Sequence, residues 1–154
     1  MIKNDEYYMG IALLEAKKAF LKDEVPVGAV IVYQNKIIAR GHNLRETKNS
    51  VFGHAEINVI AKATKKLKQK FLEDCIMYVT LEPCLMCAGA IQAARIKKVI
   101  YGAKEPKFGC LESLGNVYQT FKGNHDVEFA GGLLEEVASQ MMKDFFKTIR
   151  EKKL

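Results

Sequence analysis

Apolar residues recur at helical spacing over residues 8–21, where Ile11, Ala12, Leu14, Ala16, Ala19 and Phe20 are interleaved with lysines; the period predicts an amphipathic helix. The β-branched run Val25-Pro26-Val27-Gly28-Ala29-Val30-Ile31-Val32-Tyr33 predicts a strand. Gln34-Asn35-Lys36 then turns the chain into a second strand over 37–41, paired antiparallel with the first. A helix is expected over about 54–67, with Ile57, Ile60, Ala63, Thr64 and Leu67 near one face. Next come a strand over 76–81, a helix from 84 to about 94 and a strand over 99–103. This βαβ unit requires a parallel pair with helical cover. Residues 104–122 are glycine-rich and weakly periodic, which reads as loop with a short helical turn. Val127-Glu128-Phe129 reads as an edge strand, Gly131-Gly132 as a break, and 133–149 as a terminal helix. The expected class is α/β, a mixed five-stranded sheet with helices on both faces.

Composition narrows this picture. At 154 residues, with no repeat, linker or low-complexity stretch, residues 1–154 read as one domain. Hydrophobic residues at 49% and charged residues at 27% are the balance of a soluble globular chain. The start, Met1-Ile2-Lys3-Asn4-Asp5-Glu6, is acidic where a secretory leader needs an apolar core, and no run approaches membrane-spanning length. With four cysteines, two of them at metal spacing, a reducing cytoplasm is expected rather than a disulfide framework. A net charge of +6 suits a polyanion such as RNA, though it equally suits a basic soluble protein.

The candidate chemistry lies in two short blocks, His54-Ala55-Glu56 and Pro83-Cys84-Leu85-Met86-Cys87. Cys84 and Cys87 stand one helical turn apart, so both sulfurs can face one point, and the positive end of their helix favours the thiolates that zinc binds. His54 adds a third ligand. One His and two Cys suit a Zn²⁺ whose fourth position holds water, with Glu56 as the carboxylate that moves that water's protons. Two positions on an ideal helix point roughly 200° apart, so His54 and Glu56 share a site only if His54 sits at the helix entrance. Taken alone, Glu56 is an ordinary decoration of a helix N-terminus; its place beside the ligand set argues for the acid–base role. A closed structural site would need a fourth ligand from Cys75, Cys110, His42 or His125, and no second CxxC or HxxxH pair is there to supply it. Cys75, before a buried-looking strand, reads as a small core residue; Cys110 has no assigned role.

His54-Ala55-Glu56 with Pro83-Cys84-x-x-Cys87 matches the signature of the zinc nucleobase deaminases, the cytidine and deoxycytidylate deaminase superfamily. Glu24-Val25-Pro26-Val27-Gly28-Ala29-Val30, the run from Tyr78-Val79-Thr80-Leu81-Glu82 to Cys87-Ala88-Gly89-Ala90, and the tail from Gly132-Leu133-Leu134 to Phe145-Phe146 resemble the bacterial tRNA-specific adenosine deaminases over nearly the whole chain. The resemblance implies a three-layer α/β/α cytidine-deaminase-like fold, one Zn²⁺ per subunit, and a homodimer with active sites near the subunit interface. It implies hydrolytic conversion of adenosine to inosine at wobble position 34 of a tRNA anticodon stem-loop, with tRNA-Arg the expected substrate. It assigns substrate hydrogen bonding to Asn43 and pocket walls to Val27 and Leu81. It places Lys104, Lys107, Lys147 and Arg150 in the two segments beside the RNA. Ser50-Val51-Phe52-Gly53 departs from the family's Asp-Pro-Thr-Ala, and Glu105 stands where the family has Asp. Lys62, Lys65, Lys66, Lys68 and Lys70 are expected on the outer face of their helix.

Three other functions use some of the same residues. A deaminase of a free base, nucleoside or nucleotide, such as guanine or cytosine, shares the zinc chemistry. A non-catalytic zinc module that binds RNA would have a closed metal shell, and a CxxC redox protein would carry an exchangeable disulfide.

Overall fold

Strands with apolar residues on both faces must be covered on both, and that requirement sets the layers. The computed structural model describes residues 3–153; Met1, Ile2 and Leu154, counted above in the one expected domain, lie outside the described residues. The elements follow as α1 (Asp5–Leu21), β1 (Gly28–Tyr33), β2 (Lys36–His42), α2 (Ala55–Leu67), β3 (Cys75–Leu81), α3 (Leu85–Ala93), β4 (Lys98–Ala103), α4 (Val117–Thr120), β5 (Glu128–Ala130) and α5 (Glu135–Lys152). The five strands form one sheet in the order β2-β1-β3-β4-β5. β1 is antiparallel to β2 and β3; β3–β4 and β4–β5 are parallel. The mixed sheet and its parallel pair are as the patterning predicts.

Alternation along the strands separates two cores. Ala29, Ile31, Met77, Val79, Val99 and Tyr101 point to the side where α2 and α3 deliver Ala55, Val59, Ala63, Ala88 and Ile91. Val30, Val32, Tyr78 and Ile100 point to the other side, against Tyr8, Met9, Ala12 and Leu13 of α1 and Ala138 of α5. Cys75 is buried in the first core, where burial pushes its thiol up to about 11. Among the described residues no helix is long and apolar enough to cross a membrane.

Several boundaries shift for local reasons. Pro26 has no N–H, and the Val27 N–H turns back to the Val25 carbonyl, so the first strand begins at Gly28 rather than Val25. Gln34 and Asn35 both have positive φ, 50° and 63°, which suits a tight hairpin turn twisted like its strands. α5 starts at Glu135, two residues later than expected, because Leu134 is held left-handed at its N-cap. α1 starts three residues early, capped by the Asn4 side chain on the Tyr7 N–H. α2 buries Ala55, Glu56, Val59 and Ala63; of the expected face only Ala63 is fully buried, while Ile57, Ile60, Thr64 and Leu67 stay half-buried, Ile60 and Leu67 packing against the edge of the core. Its lysines 62, 65 and 66, with Lys68 and Lys70 beyond it, are exposed as expected.

Candidate active site

The site forms where β3 ends. Its last residue, Leu81, runs through Glu82 and Pro83 into Cys84, the N-cap of α3, and Cys87 lies one turn inside that helix. His54 is the N-cap of α2, with extended backbone (φ −84°, ψ 145°) and no side-chain cap bond of its own. The capping is done from a neighbouring segment: Asn43, just past β2, accepts the Ala55 N–H with its Oδ1 at 2.8 Å. The imidazole is therefore free of the duty that an N-cap side chain normally performs. Because His54 precedes the helix proper, the ideal-helix divergence from Glu56 does not apply, and both side chains line one cavity.

His54 Nδ1 lies 3.7 Å from Cys84 Sγ and 3.4 Å from Cys87 Sγ. A tetrahedral zinc with ordinary Zn–N and Zn–S bonds sets its nitrogen and sulfur ligands roughly 3.5 Å apart, so the donors present fit such an ion. Among the described residues these three are the one His/Cys/Asp/Glu group whose donor atoms lie mutually within 4.8 Å. The other histidines are engaged elsewhere. His42 Nδ1 meets Glu15 at 2.9 Å, and His125 Nε2 meets the Ile96 carbonyl at 2.7 Å. Cys110 is half-buried, its sulfur toward the Phe108 carbonyl.

The three groups polarise one another. The Cys87 thiol donates toward Cys84 and, against the effect of burial and with help from His54, lowers the Cys84 thiol to about 4. Cys87 is pushed up by that same bond, by burial and by neighbouring negative charge. His54 is raised, mainly by its bond to Cys84. Glu56 is 4% exposed, and burial pushes its carboxyl up to about 7, in the range that suits a group exchanging protons near neutrality.

The cavity lined by His54, Glu56 and Cys84 measures about 580 Å³, within the usual range of small-ligand sites, about 300–1,000 Å³; Cys87 lies buried behind it. Val27 and Leu81 are on its walls and Asn43 borders it, together with Val51 of the departing segment, Met86 and Phe146; Arg45, Phe108 and Met142 also line it and are not singled out in the sequence. Two buried carboxylates brace the loops around it. Glu24 accepts the N–H groups of Glu46 and Thr47 and the Thr47 hydroxyl. Glu82 accepts the N–H groups of Glu105, Leu111, Glu112 and Ser113 and the Ser113 hydroxyl. Burial alone would raise both carboxyls, but these donors bring both below the usual carboxylate range.

Comparison with known proteins decides the family. A family model for MafB19-like deaminases matches residues 3–150. A protein of Bacillus subtilis (strain 168) named tRNA-specific adenosine deaminase is 50% identical over 149 residues, 97% of this chain and 92% of its own length. The chain belongs to this deaminase family. A solved structure from work on A-to-I editing by tRNA:A34 deaminases superposes on this deaminase with a TM-score of 0.84 at 42% identity, covering 88% of this chain and 98% of the other. A guanine deaminase from Bacillus subtilis is more distant, with a TM-score of 0.65 at 33% identity, covering 97% and 95%.

Beside the deaminase cavity runs a second depression of about 480 Å³, sharing Leu81, Glu105, Met142 and Phe146 with it. Lys104, Lys143 and Arg150 border this groove. Of the four cations singled out in the sequence, Lys104 and Arg150 thus lie along it. Lys107 and Lys147 are exposed on the same two segments but do not line it, and Lys143 is an addition. In the departing segment, Val51 lines the first cavity, while Gly53 packs so closely that a Cβ there would lie 2.7 Å from the Arg45 nitrogen. Glu105 borders both depressions.

Proposed function

We propose that this chain is a cytoplasmic, zinc-dependent tRNA adenosine(34) deaminase, converting adenosine to inosine at the wobble base of a tRNA anticodon stem-loop, with tRNA-Arg the first substrate to test. A three-donor cluster with tetrahedral spacing, opening on the same cavity as a buried carboxyl group, carries this reading; the family membership and the cationic groove support it. His54, Cys84 and Cys87 hold the ion, one per subunit of a homodimer. When bound, Zn²⁺ supplies Lewis acidity and a water that loses its proton near neutrality.

With the ion held by His54, Cys84 and Cys87, Glu56 would accept one proton from the attacking water and pass it to adenine N1 as the C6–O bond forms, then accept the second proton from the C6 hydroxyl and pass it to the amino group, so that the C6–N bond breaks, ammonia leaves and a C6 carbonyl remains. Asn43 holds the nucleoside through its amide NH₂, since its oxygen is committed to Ala55. Val27 and Leu81 flank the base, and apolar walls there keep bulk water from the reacting carbon. A nucleotide in a loop swings out of its stack at lower cost than a paired one. Lys104, Lys107, Lys147 and Arg150 are candidate partners for the phosphates on either side.

The alternative is a deaminase of a free base, nucleoside or nucleotide, such as guanine or cytosine, which the likeness to a guanine deaminase keeps in view. The cationic groove continuing from the cavity favours a polymeric substrate. Purified protein loaded with zinc is incubated separately with an A34 anticodon stem-loop, guanine and cytosine. Inosine in the stem-loop, with no comparable turnover of the free bases, is the expected result. Turnover of a free base with an untouched stem-loop overturns the reading.

A further inference from the structure

The mouth of the cavity is unusually apolar for a surface exposed to water. Val51 is 63% exposed, Phe108 56% and Phe146 42%, and all three line the same opening. Single exposed apolar side chains need no explanation. Here three converge from separate parts of the fold: the loop after β2, the loop after β4, and α5.

Phe108 stands out because its backbone is braced while its ring is left in solvent. Glu82 fastens the loop on both sides of it, at Glu105 and at Leu111, Glu112 and Ser113. The next residue, Gly109, lies where a Cβ would be 2.4 Å from the Glu82 carboxyl carbon, and its N–H is bonded to the Glu105 carbonyl at 2.8 Å. The Cys110 N–H is tied to the Pro83 carbonyl at 3.0 Å, linking the loop to the residue that precedes Cys84. The Lys107 ammonium sits over the Phe108 ring, 5.2 Å from its centroid. An aromatic ring and an exposed cation are thus presented together on a hydrogen-bonded loop beside the reacting groups. That combination suits an unpaired nucleotide, whose base stacks on the ring while its phosphate meets the cation.

We propose that Phe108 is a stacking platform for a nucleotide flanking the deaminated base, and so a specificity-determining residue of this enzyme. The inference rests on the RNA-deaminase reading above and adds a residue to it. Because the loop is held in place beforehand, little ordering is left for binding to impose. Any base has a face to stack, so the contact adds affinity for an extended loop and favours bases that stack strongly, purines over pyrimidines.

The test uses the zinc-loaded full chain and a stem-loop with A34 flanked by different bases. Phe108→Leu should raise KM for the stem-loop roughly tenfold, with kcat falling far less, the scale expected when one base–aromatic stack is lost. Phe108→Tyr should restore KM. In a Glu56→Gln background, 2-aminopurine placed beside position 34 should be quenched on binding, and Phe108→Leu should abolish that quenching. Equal KM, equal quenching and equal flanking-base preference in the Leu and Tyr variants overturn the inference while leaving the wobble-deaminase reading intact. A wild-type protein that deaminates no stem-loop ends both. Phe108 is exposed, so the Leu variant keeps its core, and an unchanged thermal midpoint checks this.

Discussion

Asn43 and Ala55 are joined by one hydrogen bond of 2.8 Å, and through it the end of β2 caps the helix that starts beside His54. The side chain serves the fold with its oxygen, which leaves its NH₂ for a ligand. Asn43→Ala should cost about 1–2 kcal/mol through the uncapped, buried N–H. Asn43→Asp keeps an acceptor for Ala55 but has no NH₂, so it should regain part of that stability without regaining turnover. Thermal melts beside single-turnover deamination separate the two duties. A variant recovering both together would show that the NH₂ has no part in binding.

Glu56→Gln should retain one zinc per chain while turnover falls by about 10²–10⁴, the usual share of a positioned acid–base group. Metal content by elemental analysis and inosine formation are measured on the same sample. Cys84→Ala should instead lose the metal, because two donors remain where the spacing requires three. A Glu56→Gln enzyme working at near wild-type rate would remove the carboxyl from the mechanism.

How much of this was legible beforehand depended on whether the signal was local. β-branched runs mark β1, β3 and β4, because a strand buried on both faces needs them, and the ligand spacing shows in seven letters around His54 and Cys84. The buried face of α2 is centred on Ala55, Val59 and Ala63, and the expected stripe shares only Ala63 with it, because small residues give a weak period beside Ile57 and Ile60. Glu24 and Glu82 look like surface carboxylates in one dimension; only the tertiary fold surrounds them with N–H groups. On α5, Ser139, Met142, Lys143, Phe146 and Arg150 form one helical stripe along the groove, and Lys147 falls one position off it. That stripe has no apolar period, so its orientation follows from packing rather than from the letters.

Glu82 and Gly109 should behave as one unit. Gly109→Ala pushes a methyl against the Glu82 carboxyl, and Glu82→Gln replaces an acceptor of five hydrogen bonds with a group that must also place an NH₂ among donors. Each should destabilise by roughly 2–4 kcal/mol. Both should speed amide exchange over 105–113. Their double variant should lose less than the sum of the two, since both break the same contact. Strict additivity would show that the loop is held by other means.

Acid should expose a different carboxylate. Glu15 is buried between α1 and β2; burial alone would raise it, but hydrogen bonds from Lys18, His42 and Arg40 outweigh that and hold it at about 2. A carboxyl held below its unfolded value stabilises the fold above that value and loses the contribution as pH falls through the folded one. The contribution of Glu15 is therefore complete above about 4.5 and drains away as pH falls toward 2. Glu15→Gln should lower stability near neutrality and flatten its decline over that acid range. Parallel urea titrations at several pH values measure the difference. Identical slopes in the two proteins would assign the acid loss elsewhere.

The groove should reveal itself through salt. A cation that meets a phosphate releases a counterion on binding, and each such contact in single-stranded RNA contributes about 0.7 to the slope of log K against log salt. Lys104, Lys143 and Arg150 line the depression continuous with the active cavity, whereas Lys62 is exposed on α2 and bonded to the Arg40 carbonyl at 2.8 Å. Lys104 also faces Glu112 at 4.0 Å, a separation and exposure at which the pair holds it only weakly. Arg150→Gln and Lys143→Gln should each reduce the slope for stem-loop binding by about 0.7, and Lys62→Gln should leave it unchanged. Lys147→Gln ranks the segment against the groove: a full reduction would mean that the RNA crosses the outer turn of α5, and none would confine it to the lined stripe. Equal slopes for the Lys143, Arg150 and Lys62 variants would show that the backbone takes another route to the cavity.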